Sequence, residues 1–146
     1  MLTAYRPGGG VAHFVENGVR SGGLLADHVC AGIALLAAFA VTGDEPYRMM
    51  AEEVGLYALG AFAAPGGGFF DRIPGAADVG LLKDARIPYG DNCDAAVFFA
   101  RLSRASRERA FEGVARAAFD RVAPLAARYG PDAARWLLAA REVRIR

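Results

Sequence analysis

The residues best equipped for chemistry fall in two short runs. Asp27 and His28 sit side by side where an apolar helix should begin, and Tyr89, Asp91, Asn92 and Asp94 open a second one. An adjacent carboxylate and imidazole can act as an acid–base pair toward a sugar. The same two residues also suit a helix start, with Asp27 as a cap and His28 packed on a loop. In the second run, two carboxylates can divide into acid and base when their surroundings separate their pKa values. Asn92 and the carboxylates can also hydrogen-bond sugar hydroxyls above a stacking Tyr89. Against this stands capping and loop anchoring by the same side chains. The candidate ligand-binding set is therefore Asp27, His28, Tyr89, Asp91, Asn92 and Asp94. No residue is assigned a catalytic role, and the residues leave open whether the chain is an enzyme.

Other chemistry is thinly supported. His13 is isolated in a glycine-rich segment and shares no ligand spacing with Asp27 and His28, so no metal is expected. Cys30 and Cys93 are the only cysteines, lie in apolar helical stretches and form no C-x-x-C pair. Gly8–Gly10 and Gly66–Gly68 lack the strand, helix and Lys-Ser/Thr context of a phosphate loop. No cofactor is expected. Asp71 and Arg72 are read as an ion pair closing a loop pinned by Phe69 and Phe70, Arg86 as a partner for Asp84 or Asp91, and Trp136 as core.

The elements that must carry these residues are mostly helical. Residues 1–23 form a glycine-rich lead-in, with a short strand expected at His13–Val15 before an Asn17-Gly18 turn. A first helix runs from Leu24 or Asp27 to Val41 and is apolar on nearly every face, which predicts burial all round. Gly43 stops it, Asp44 caps the next helix, and Pro46 is tolerated in the first turn. That second helix, Glu45–Phe62, has one apolar stripe through Tyr47, Met50, Val54, Tyr57, Ala58, Ala61 and Phe62. A long loop follows over residues 63–90, with a short strand expected at Phe69–Arg72. The pattern then recurs: an apolar helix at Cys93–Leu102, a Ser106 cap, a one-faced helix at Arg107–Ala123 broken by Pro124, and a last helix from Pro131 to Arg141. Two units of apolar helix followed by one-faced helix, plus one more helix, make an all-α fold of about five helices in a single domain. An ordinary five-helix bundle would give similar strings.

The order of motifs also resembles a known family. Leu25–Asp27, Thr42-Gly43-Asp44-Glu45-Pro46-Tyr47, Gly66-Gly67-Gly68-Phe69-Phe70-Asp71, Leu81-Leu82-Lys83, Arg86-Ile87-Pro88 and Asp91-Asn92 followed by Ala95-Ala96 stand in sequence. Together they resemble the C-terminal helical region of thioredoxin-domain proteins related to spermatogenesis-associated protein twenty. That region is an α/α toroid similar to N-acylglucosamine 2-epimerase and the six-hairpin glycosidases. The resemblance implies a partial toroid with inner helices around a cavity, and a carbohydrate-related ligand. The chain departs from the family in three ways. It has no thioredoxin-like cysteine motif, it has fewer than half the helices of a closed ring, and Asp91–Ala95 lacks the family's Pro-Ser. An arc of this kind has two raw apolar edges, so self-association or a partner chain covering them is the alternative function.

Composition narrows the classes further. The 146 residues carry a net charge of +1, which gives no electrostatic case for nucleic acid or an anionic membrane. The longest apolar run, Val29–Val41, is about 13 residues against the ~20 of a membrane span, and no signal peptide is visible. A reduced, cytoplasmic setting is the expectation.

Overall fold

In the computed structural model, which describes residues 4–20, 22–76 and 78–144, the fold is all-α with short β-hairpins. Five helices form: α1 (Leu25–Thr42), α2 (Glu45–Phe62), α3 (Tyr89–Ser106), α4 (Ala110–Val122) and α5 (Ala133–Arg144). Gly43, at φ 73°, ends α1 in the left-handed conformation and returns its N–H to the Phe39 carbonyl, so α2 runs back antiparallel to α1. Asp44 stands at the cap position of α2 without a side-chain capping bond. Ser106 is the last residue of α3 rather than a cap outside it, and Arg107 takes the left-handed conformation (φ 61°) that turns the chain into α4. Pro124 splits the next helix as its missing N–H requires: α4 stops at Val122 and a 3-10 segment, Ala123–Arg128, follows.

The core is organised around α3. Phe98, Phe99, Cys93, Ala95, Ala96 and Leu102 are all fully buried, and α1, α2, α4 and α5 all pack on this helix. Two mid-helix glycines let the first hairpin close on it. A Cβ at Gly32 would stand 2.3 Å from the Phe98 ring, and one at Gly55 would stand 2.7 Å from Leu102. Phe69 stacks flat on Phe99 (5.3 Å, 4°) and Trp136 on Phe119 (5.2 Å). The Asp94–Arg135 and Arg101–Glu142 pairs each advance seven residues along both helices, so α3 and α5 run parallel. The Gly32–Phe98 contact, followed by the approach of Leu36 and Ala40 to Arg101 and Ala105, makes α1 parallel to α3 as well. Three parallel helices thus carry two antiparallel ones, α2 and α4.

The first helix is not buried all round. Leu25, Val29, Leu35 and Leu36 face the core, but Cys30, Ala34, Ala37, Ala40 and Val41 are exposed, Val41 at 87%. The reason is position: α3, not α1, has neighbours on every side. By length and composition α1 could cross a membrane, yet a third of it is buried against the fold.

The lead-in folds as two hairpins, β1 (Tyr5–Arg6) with β2 (Gly10–Val11), and β3 (Val15–Glu16) with β4 (Val19–Arg20). The second turns on Asn17 and Gly18, both at positive φ as a tight two-residue hairpin demands. Phe69–Arg72 is not a strand; Phe69 makes one isolated bridge to Ala63 across the Pro65-Gly66-Gly67 turn. The long loop ends earlier than predicted, because the helix predicted from Cys93 starts at Tyr89.

Candidate functional site

The polar candidates gather where α1 and α3 begin, and most are consumed in holding the loops there. Asn92 is fully buried. Its Oδ1 accepts the Phe69 N–H (2.7 Å), while its Nδ2 donates to the Phe69 carbonyl (3.0 Å) and the Pro88 carbonyl (2.8 Å). All of its close partners are backbone groups, so it is an internal clamp. The same loop reaches α1, where the Leu25 N–H donates to the Asp71 carbonyl.

His28 is equally committed. Its Nε2 accepts the Val11 N–H at 2.9 Å, and its Nδ1–H donates to the Leu24 carbonyl at 2.8 Å. That arrangement requires the neutral ring. Burial pushes the imidazole below its ordinary value, against the smaller opposing pulls of the Leu24 carbonyl and Asp27. The ring stacks on Tyr57 (5.0 Å, 4°), with Gly10 and Gly23 pressed against its edge. Asp27 does not pair with it. Its Oδ2 accepts the Leu24 N–H (2.8 Å), closing the first turn of α1, and both its oxygens lie 3.1 Å from His13 Nδ1. The structure therefore separates the proposed acid–base pair, His28 facing the core and Asp27 the surface.

Tyr89 is no open stacking platform. It is 3% exposed, its ring lies flat on Tyr129 (3.9 Å, 9°), and its buried hydroxyl has no well-formed hydrogen bond among the described residues. Burial, with Cys93 alongside, raises its pKa.

Asp91 and Asp94 are left. Asp94 faces Arg135 of α5 at 3.3 Å. Asp91 has no hydrogen-bond donor among the described residues; burial, Asp94 and Asp71 raise its carboxyl above the usual range, while Arg135 opposes them. Burial likewise raises Asp94, against the pull of Arg135. Cys30 on α1 shares this end: partial burial and the Asp94, Asp91 and Asp27 carboxylates push its thiol up, which makes it a poor nucleophile. Arg135 and Cys30 were not legible as members of this group, because 41 residues separate Asp94 from Arg135.

Other sequence assignments change partner. Arg72 pairs with Asp78 (2.7 Å) rather than Asp71, and Asp71 Oδ1 accepts the Arg86 N–H (2.8 Å). Arg86 thus meets Asp71 through its backbone, not Asp84 or Asp91 through its side chain. No group of three or more His, Cys, Asp or Glu side chains among the described residues could hold a metal ion.

The opposite end of the same face is basic. Arg101 and Arg104 of α3 line a shallow cleft of about 430 Å3 with Leu36, Ala37, Phe39 and Ala40 of α1, and both also bond Glu142. A second cleft, about 440 Å3, lies among α3, α4 and α5 with Arg104, Arg109, Glu112 and Glu142 at its rim. The exposed side of α1 therefore runs from carboxylates at its start to guanidiniums near its end, with no charged residue between Asp27 and Asp44.

The resemblance stated above rests on its quoted motifs alone. No family model, no curated protein and no solved structure matches the chain.

Proposed function

We propose that the chain is a non-catalytic interaction module that self-associates through the bare face of α1. The observation that carries this reading is the exposure of Cys30, Ala34, Ala37, Ala40 and Val41 along one side of a helix that has no charged residue after Asp27. A contiguous apolar face of this kind marks an interaction surface. A second copy is the fitting occupant because Asp27, Asp91 and Asp94 outnumber Arg135 at one end and Arg101 and Arg104 outnumber Glu142 at the other, so two copies laid head to tail match opposite net charges. The partial-toroid resemblance supports the same reading, since an arc leaves its edge helices uncovered.

An 18-residue helix is about 27 Å long, and one such strip is smaller than a standard stable interface. The association is therefore weak and concentration-dependent. Sedimentation velocity from micromolar to millimolar protein tests it. A rise from monomer toward dimer supports the reading, and a monomer across the whole range sinks it.

A second reading, binding of a sugar or another small polyhydroxylated ligand, is favoured by Asp91 alone, a partly buried carboxylate without a hydrogen-bond donor beside Asp94 and Arg135. Amide chemical-shift changes around Asp91 on titration with a panel of monosaccharides and amino sugars, absent in Asp91→Ala, would support it. No change with any member of the panel removes it.

A further inference from the structure

Resting on the self-association just proposed, the geometry points to one arrangement: we infer an antiparallel two-fold pairing of α1 with α1 of a second copy, flanked by the two α3 helices. Three observations combine.

The first is register. The exposed residues Cys30, Ala34, Ala37 and Val41 step by four, three and four, the alternation of a coiled-coil seam. The set is symmetric about the point midway between Ala34 and Ala37. Antiparallel pairing about that point sets Cys30 against the partner's Val41, and Ala34 against the partner's Ala37. The alanines at the centre let the two backbones approach closely.

The second is charge. A two-fold axis across the helices keeps both α3 helices on the same side of the seam while reversing their direction. The end of one copy, where Asp27, Asp91 and Asp94 outnumber Arg135, then lies toward the partner's Arg104, which together with Arg101 outnumbers the Glu142 that both bond, Arg101 being nearest the axis. A parallel pair would instead bring like ends to the same level. Asp44 and Glu45, the acidic residues past the end of α1, belong to the turn into α2 and its first residue, and α2 packs on another side of α1 from the bare face.

The third is continuity. The cleft between Ala37, Ala40, Arg101 and Arg104 borders the seam, so the second copy's acidic end has a recess to enter rather than a flat surface.

The cysteine supplies the test. In the antiparallel register the two Cys30 residues are 11 positions apart along the seam, about 16 Å. A parallel pair would place them side by side. Val41→Cys, at an exposed position, puts a thiol opposite the partner's Cys30. At protein concentrations where sedimentation shows dimer, mild oxidation at alkaline pH should leave wild type uncrosslinked and convert Val41→Cys to a disulfide-linked dimer. Cys30→Ser in the Val41→Cys background should abolish that product. Ala37→Glu, also at an exposed position, should lower self-association at least tenfold with unchanged circular dichroism. Rising salt should weaken the wild-type dimer.

Outcomes that overturn the inference are distinct. Wild type cross-linked through Cys30 means a parallel pair. That outcome leaves self-association through α1 intact, whereas a dimer indifferent to Ala37→Glu means another surface and removes the α1 face from the proposed function too. A monomer at every concentration removes both the arrangement and the reading beneath it. Recruitment of wild type, but not Ala37→Glu, to phosphatidylcholine vesicles without dimer in solution would assign the face to a membrane and overturn the pairing.

Discussion

Replacing Asn92 by alanine isolates the most consequential polar group in the structure. The side chain is fully buried and serves three backbone atoms. The Pro88 carbonyl keeps a second donor, the Asn92 N–H at 3.2 Å. The Phe69 N–H and carbonyl have no other partner among the described residues, so the substitution orphans both. A buried group left unsatisfied costs about 1–3 kcal/mol, which puts Asn92→Ala at roughly 3–4 kcal/mol once partial access of water is allowed. For a chain of 146 residues the unfolding entropy is about 0.3 kcal/mol/K, so Tm should fall by about 10 °C. Thermal unfolding followed by circular dichroism measures this. Hydrogen exchange at Phe69 reads the local effect, because its amide loses its acceptor. Asn92→Asp should fare no better: it keeps an acceptor for the Phe69 N–H but turns a second oxygen on the Phe69 and Pro88 carbonyls. A loss below about 1 kcal/mol with the Phe69 amide still protected would refute the clamp.

Three further outcomes follow from the packing and the titrating groups. Gly32→Ala should destabilise by about 1–2 kcal/mol, because overpacking against fully buried Phe98 outweighs the ~1 kcal/mol gain in helix propensity; denaturant titration decides it. His28 has a folded pKa below its ordinary value, so the unfolded chain takes up its proton first. Stability should be full above about pH 6.5 and fall as pH drops below it, a component that His28→Phe, whatever its own stability, should lack in a pH series of melts. Asp91 has its pKa raised, the opposite sign: its charge opposes folding above the ordinary carboxylate range. Asp91→Asn should therefore raise Tm slightly at pH 7 and lose that advantage in acid; a lower Tm at pH 7 would show an unrecognised partner for Asp91.

The helices were legible because their signals are local. Gly43 at a left-handed stop, Pro46 in a first turn and Pro124 at a break each act within a turn of their own position, and the structure has each in that role. The alternative roles of Asp27, His28 and Asn92 were legible for the same reason, since capping and packing against nearby loops need few distant partners. Burial was harder to read. An apolar helix such as α1 is wet or dry according to what lies beside it, and that is a property of topology. Arg135 near Asp94 and the recruitment of Asn92 by Phe69 both depend on how loops cross in space. Gly32 and Gly55 did carry a signal: a glycine inside an otherwise good helix marks a close approach. The pattern does not say which partner approaches, and here it is α3.

The connection between the two hairpins has a practical consequence. Ile73, Val79, Leu81 and Leu82 lie exposed on the stretch between Phe69 and Tyr89, and none belongs to the packed core. A protease cutting among them would sever the backbone without touching the contacts of α1 and α2 with α3. The two pieces should stay together as a nicked complex and part only in denaturant, which makes this stretch the natural place to divide the protein for fragment complementation.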